Sequence, residues 1–157
     1  MTPDGVRPLL VFAWGNPSRG DDALGPELLD LLASRQEQGE FAHVELLGDF
    51  QLQVEHALDL QGRERVLFID ASVSAQAPWE LSALQPQRDT SYTSHAMSPA
   101  AILAVYEQIN DGPPPPAWLL SIRGYAFELG QPLSAQAGSN LQDAFSKVCE
   151  FLHIRSG

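Results

Sequence analysis

Continuous apolar runs alternate along this chain with segments in which apolar residues recur at helical spacing. An apolar run that is ended by turn residues is typical of a strand buried on both faces of a sheet. Four runs predict such strands, and a weaker fifth run predicts a strand at the edge of the sheet. The four are residues 8–14, 41–47, 65–69 and 118–122, and the weaker one is 80–84.

Helices are predicted between these strands by leucine, isoleucine, valine and phenylalanine residues three or four positions apart. The first begins just after Asp21 and Asp22, because Pro26 is tolerated only in a first helical turn. Ser98 followed by Pro99 is a typical helix start, with serine as the N-cap and proline at the first helical position. The same spacing predicts a short helix around residues 54–58 and a closing helix over 141–152.

This alternation predicts an α/β protein, a three-layer α/β/α sandwich with a mostly parallel central sheet of about five strands. A length of 157 residues suits one domain, so we expect the whole chain, 1–157, to form a single unit. Ligands of such sheets bind outside the carboxyl ends of the strands. We therefore expect the functional residues at the carboxyl ends of the predicted strands.

Composition limits the function further. The 20 acidic residues outnumber the 9 basic ones, and the net charge of −11 argues against partners such as nucleic acid or an anionic membrane surface. The single cysteine, Cys149, excludes an internal disulfide and a cysteine-rich metal site and fits a reducing compartment. The apolar run near the N-terminus is too short for a membrane span, which takes about 20 residues. We expect a cytoplasmic, soluble monomer.

The loop after the first predicted strand, residues 15–22, combines glycine with two adjacent carboxylates. It lacks the glycine spacing of dinucleotide-binding loops and the lysine of phosphate-binding loops. Asp21 and Asp22 would also repel a phosphate, so this loop favours a cation. The alternative is that both residues only cap the following helix, which is the better interpretation of an isolated pair.

Asp70 and His95 are the other candidates for the same edge of the sheet. Asp70 follows four apolar strand residues and needs a partner there, unless it only closes an Asx turn. His95 precedes a predicted helix, where it could serve a structural role instead. Two carboxylates and an imidazole predict an open site for zinc, nickel, cobalt or manganese.

One motif in this chain resembles the hydrogenase maturation endopeptidases, which remove the C-terminal extension from the nickel-containing large subunit of nickel–iron hydrogenases. An apolar strand is followed by Gly15-Asn16, four further residues, Asp21-Asp22 and then Gly25. That order is similar to the family pattern of Gly-Asn, four residues, Asp, a second acid, two residues and Gly.

Three later segments are similar to the same family, so the resemblance covers nearly the whole chain. They are Asp70-Ala71 after an apolar strand, Ser94-His95 before a helix, and Leu133-Ser134 before an amphipathic helix.

The resemblance implies roles for the candidate residues. Asp22, Asp70 and His95 would contact a metal, and Asp22 and Asp70 would also be catalytic. Gly15, Asn16 and Asp21 would form the supporting turn. The metal would be nickel presented by the hydrogenase large-subunit precursor, with hydrolysis by either a metal-activated water or a carboxylate general base.

The chain departs from the family after its second strand, where many members have an Asp-Gly-Gly-Thr-like turn. It has Leu47-Gly48-Asp49-Phe50-Gln51-Leu52-Gln53 there, a segment that we expect in the proteases of soluble NAD-coupled hydrogenases. Trp14 stands where a small or apolar residue is commoner. Two alternatives to the endopeptidase remain: a non-catalytic, nickel-dependent binding module for the large subunit, and a small metal-dependent hydrolase without a protein substrate.

Overall fold

The computed structural model describes residues 5–88 and 97–153. Within these ranges the chain forms five strands, three α-helices and two 3-10 helices. The strands are β1 (Leu9–Trp14), β2 (Val44–Asp49), β3 (Arg65–Ser72), β4 (Trp79–Ala83) and β5 (Ala117–Arg123). The α-helices are α1 (Leu24–Glu37), α2 (Pro99–Ile109) and α3 (Ala135–His153), and the 3-10 helices span Gly20–Ala23 and Val54–Leu60.

The five strands form one sheet in the order β2-β1-β3-β5-β4. β1, β2, β3 and β5 run parallel, and β4 pairs antiparallel with β5 at the edge. This confirms the predicted five-stranded, mostly parallel sheet. β2 begins at Val44, three residues later than predicted, because Phe41 adopts a left-handed φ of 58° and closes a turn with Val44.

Alternate residues of the central strands face two separate cores. Leu9, Val11 and Ala13 of β1 pack with α1 and α3 on one side, while Leu10 and Phe12 pack with α2 and the helix Val54–Leu60 on the other. This division is the predicted three-layer sandwich, and burial on both faces explains why the β1 sequence is a continuous apolar run.

Backbone hydrogen bonds gather several loops at the carboxyl ends of the parallel strands. Gly15 N–H donates to the carbonyl oxygen of Asp49, and Gly124 N–H donates to that of Ser72. Asp21 N–H donates to Ala126 at a distance of 2.7 Å, which joins the loop after β1 to the loop after β5. Across the described part of the chain, no helix has the length and apolarity needed to cross a bilayer.

Candidate functional site

The turn after β1 holds the carboxylate of Asp22 in place. Asn16 N–H donates to Asp22 Oδ2 at 2.6 Å, and Asn16 Oδ1 accepts from the N–H of Ser18 at 2.9 Å. Gly15 has a φ of 149°, and a Cβ atom there would collide with the carbonyl oxygen of Asp22. Only glycine fits at this position, so the Gly15-Asn16 pair and Asp22 form one local unit.

Asp70 faces the same site from β3. The strand continues for two residues beyond Asp70, to Ser72, so this carboxyl group belongs to the end of the strand rather than to the following loop. Burial and, after it, the negative charge of Asp22 raise the pKa of Asp70 to about 7. Hydrogen bonds from the Ala71 N–H and the Trp14 side chain act in the opposite direction. Asp22 is thus close enough to Asp70 to act on it electrostatically.

This carboxyl pair can do two kinds of chemistry. With a pKa of about 7, Asp70 gains and loses its proton near neutral pH, as a general acid or base must. Two carboxylate groups also supply oxygen ligands to a divalent cation, whose charge would displace the proton. Asp22 and Asp70 thus supply part of the coordination shell of a divalent cation, and the remaining ligands would come from the molecule that carries the cation.

His95, the third predicted metal contact, lies outside the described residues. Within residues 5–88 and 97–153, no group of three His, Cys, Asp or Glu side chains could hold a metal ion. The participation of His95 stays a prediction from the sequence.

Asp21 has a structural role that differs from that of Asp22. It is fully buried, and its carboxylate accepts hydrogen bonds from the N–H groups of Tyr125, Ala126 and Ser134 at 2.7, 3.0 and 2.7 Å. The Ser134 hydroxyl donates a fourth at 2.8 Å. Burial alone would raise the pKa of Asp21, but these hydrogen bonds outweigh it and lower the pKa below its ordinary value.

The interpretation that the acidic pair caps α1 is wrong. The N-cap residue of α1 is Ala23, and no side chain caps that helix. Asp21 instead supports the start of α3, because the Ser134 hydroxyl that donates to it also accepts from Ala137 N–H at 3.2 Å. The Leu133-Ser134 motif was the sequence signal for this contact, but it did not reveal the partner.

A contact between an acid and an imidazole lies at the end of β2. His56 Nδ1 accepts from Gln53 N–H at 2.7 Å, so Nε2 carries the proton and donates to Asp49 Oδ2, with 3.2 Å between Nε2 and Oδ2. The imidazole ring also packs edge-on against Phe12, with 4.5 Å between ring centroids. No motif in the sequence pointed to this contact between His56 and Asp49, which lie seven positions apart.

Fold and site together define a class of protein. It is a three-layer α/β protein in which two aspartates, Asp22 and Asp70, lie at the C-terminal ends of the parallel strands. No model of a known protein family and no curated protein sequence matches the chain. Solved structures do match it over nearly its full length.

Three of these structures are hydrogenase maturation proteases. The NiFe hydrogenase maturation protease HycI from Thermococcus kodakarensis is 18% identical, with a TM-score of 0.67 and 96% of each chain covered. The hydrogenase 2 maturation peptidase from a Thaumarchaeota archaeon is 22% identical, with a TM-score of 0.66 over 94% of this chain and 99% of its own. The endopeptidase HybD from Escherichia coli is 20% identical, with a TM-score of 0.68 over 92% of this chain and 91% of its own.

The protein thus has the fold of the hydrogenase maturation proteases. The similarity extends over more than nine-tenths of the chain in each comparison, at identities that define the fold and not the activity. The fold that the sequence resemblance implied is confirmed.

Proposed function

We propose that this protein is an endopeptidase that removes the C-terminal extension from the large-subunit precursor of a nickel–iron hydrogenase after nickel has been inserted. The observation that carries the proposal is the Asp22–Asp70 pair at the carboxyl edge of the sheet, with Asp70 raised to a pKa of about 7. The shared fold with maturation proteases supports the same activity.

Nickel belongs to the substrate in this proposal. The precursor presents the ion, and Asp22, Asp70 and His95 contact it and thereby position the scissile bond. Two observations support the carboxylate contacts: Asp22 acts electrostatically on Asp70, and the Asn16 N–H donates to the Asp22 carboxylate and fixes its position. The contact from His95 rests on the sequence resemblance.

Asp70 is the proposed proton acceptor in hydrolysis. Its carboxylate takes a proton from the attacking water while the water oxygen bonds to the scissile carbonyl carbon. The carbon–nitrogen bond then breaks, and the proton passes from Asp70 to the leaving amine. The pKa of about 7 belongs to Asp70 without a cation beside it, and a general base works best when its pKa lies near the operating pH.

The same proposal includes three further points. The partner is the large-subunit precursor, the location is the cytoplasm, and the hydrogenase is of the soluble NAD-coupled type. The single cysteine supports the location. The segment from Leu47 to Gln53, in place of the Asp-Gly-Gly-Thr-like turn, supports the NAD-coupled type of hydrogenase.

The test is to incubate the purified protein with nickel-loaded and nickel-free precursor and to measure the precursor mass. We expect loss of the C-terminal extension from the nickel-loaded form only. Asp22→Asn, Asp70→Asn and His95→Gln should each abolish this loss, whereas Asp143→Asn, an exposed substitution on α3, should not. Nickel-dependent binding without cleavage would contradict the endopeptidase and establish the non-catalytic binding module instead.

A further inference from the structure

Three side chains form a row across the centre of the sheet, near the carboxyl ends of its parallel strands. Trp14 of β1 contacts Asp70 of β3, and Asp70 is the register partner of Ser121 of β5. The residues two positions earlier in each strand pack in the core on the α2 side, and they are Phe12, Phe68 and Leu119. Side chains alternate between the two faces of a strand, so the row lies on that same side. Ser121 is therefore the neighbour of Asp70 on the β5 side, as Trp14 is on the β1 side.

The hydroxyl group of Ser121 is available for a further contact. The residue is half-buried between two buried neighbours, Leu120 and Ile122. None of the hydrogen bonds among residues 5–88 and 97–153 involves this hydroxyl group. Every fully buried side-chain oxygen in that part of the chain has a hydrogen-bond partner, so solvent reaches the Ser121 oxygen. A water molecule or a substrate group can bind to it there.

The spacing of the strands leaves room for a water molecule between Ser121 and Asp70. The hydrogen bonds that act on the Asp70 carboxyl group come from the Ala71 N–H and the Trp14 side chain, and not from Ser121. Neighbouring strands lie about 4.8 Å apart. A hydrogen bond between two oxygens spans about 2.7–2.8 Å, so one water molecule can bond to both side chains at once.

We propose that Ser121 is a further catalytic residue, whose hydroxyl oxygen holds the attacking water against Asp70. The water donates one hydrogen to Ser121 Oγ and the other to the Asp70 carboxylate. This arrangement leaves a lone pair of the water oxygen free to face the scissile carbonyl carbon. The inference rests on the proposed function and adds to it the group that orients the water.

Only Asp70 exchanges a proton in this step. Its carboxylate takes one hydrogen of the water as a proton while the bond between the water oxygen and the carbonyl carbon forms. The carbon–nitrogen bond then breaks, and Asp70 passes this proton to the leaving amine. The second hydrogen stays on the new carboxyl group, and Ser121 keeps its own hydrogen throughout.

The test compares Ser121→Thr with Ser121→Val, because these two variants differ only in a hydroxyl group against a methyl group. Both new residues are β-branched and suit a strand. With nickel-loaded precursor, Ser121→Thr should keep kcat within about threefold of wild type. Ser121→Val should lower kcat at least about tenfold, because an unoriented water attacks less often. KM should be the same in both variants, since the hydroxyl acts on the water and not on precursor binding.

Ser82 of β4 is the matched control. It is exposed and is the register partner of Leu119, so it lies on the same face of the sheet, further from the carboxyl ends of the parallel strands. Ser82→Thr and Ser82→Val should have equal kcat values. Thermal unfolding of all four variants shows whether the fold is kept.

The outcomes separate this inference from the proposed function. Equal kcat in Ser121→Thr and Ser121→Val, with cleavage by the wild-type protein, would overturn the role of Ser121 and leave the endopeptidase standing. A difference in KM alone would do the same, because it would assign the hydroxyl to precursor binding. Loss of kcat beyond about a thousandfold in Ser121→Val would indicate a serine nucleophile and overturn the water-holding role. No cleavage of nickel-loaded precursor by the wild-type protein would overturn the proposed function and the role of Ser121 with it.

Discussion

The side chain of Trp14 donates a hydrogen bond to the carboxyl group of Asp70, and this contact joins the ends of the neighbouring strands β1 and β3. The indole ring also packs edge-on against Phe68, with 6.0 Å between ring centroids. The hydrogen bond favours the ionised form of Asp70, whereas burial and the charge of Asp22 favour the protonated form. Trp14 therefore moderates the raised pKa of the group to which the proposed chemistry is assigned.

Trp14→Phe keeps an aromatic ring but removes the hydrogen bond to Asp70. The pKa of Asp70 should then rise further above its present value of about 7. If processing requires the ionised carboxylate, the acid limb of kcat/KM for the precursor should move to higher pH. Trp118→Phe, which changes an indole packed on Phe151, is the matched control and should leave the limb in place.

Asp22→Asn removes the negative charge that acts on Asp70. The pKa of Asp70 should fall below about 7, and carbon-13 NMR titration of the aspartate carboxyl groups measures this directly. Asp143→Asn, on the exposed face of α3, should leave the titration of Asp70 unchanged. An unaltered midpoint in Asp22→Asn would mean that the two carboxyl groups do not share a site.

Asp70→Asn should stabilise the protein at neutral and alkaline pH. The pKa of Asp70 rises from 3.8 to about 7 on folding, so the native state binds more protons than the unfolded state between these values. Wild-type stability is consequently lost through Asp70 as the pH rises across this window, and the asparagine variant avoids that loss.

The measurement is the difference in Tm between Asp70→Asn and wild type across this pH range. The difference should be small below 3.8 and should increase up to about pH 7. A difference that stays constant with pH would contradict the raised pKa.

Asp21→Asn should lower stability without a direct effect on the chemistry. An amide can accept fewer of the four hydrogen bonds that the buried Asp21 carboxylate now receives. We expect a loss of about 3 kcal/mol in the free energy of unfolding, measured with urea, since hydrogen bonds to a charged group contribute about 1.5–3 kcal/mol each.

The pH dependence of this loss has a defined sign. The pKa of Asp21 is lowered on folding, so its contribution is present above the ordinary value of 3.8 and disappears as the pH falls through the native value. The stability difference between wild type and Asp21→Asn should therefore shrink in acid. The fraction of Asp21→Asn that remains folded should still process the precursor, whereas Asp22→Asn should not.

The sequence alone determined the layer architecture. The β1 run, residues 9–14, is apolar throughout because its two faces pack against separate cores, and such a run predicts a central strand of a parallel sheet. The helical spacing that follows Asp22, with Pro26 in the first turn, predicted α1, and Ser98-Pro99 predicted the start of α2 at Pro99. These patterns are local, since each depends on residues within one element, and local patterns can be read without the fold.

Only the tertiary structure decided what the two adjacent aspartates do. Asp21 is buried, and its hydrogen-bond partners Tyr125 and Ser134 lie 104 and 113 positions further along the chain. Only the folded chain brings these residues to Asp21. The pKa of Asp70 likewise depends on Trp14 and Asp22, which reach it from a different strand and loop. Burial and charge at a site are sums over neighbours in space, and a sequence gives only neighbours along the chain.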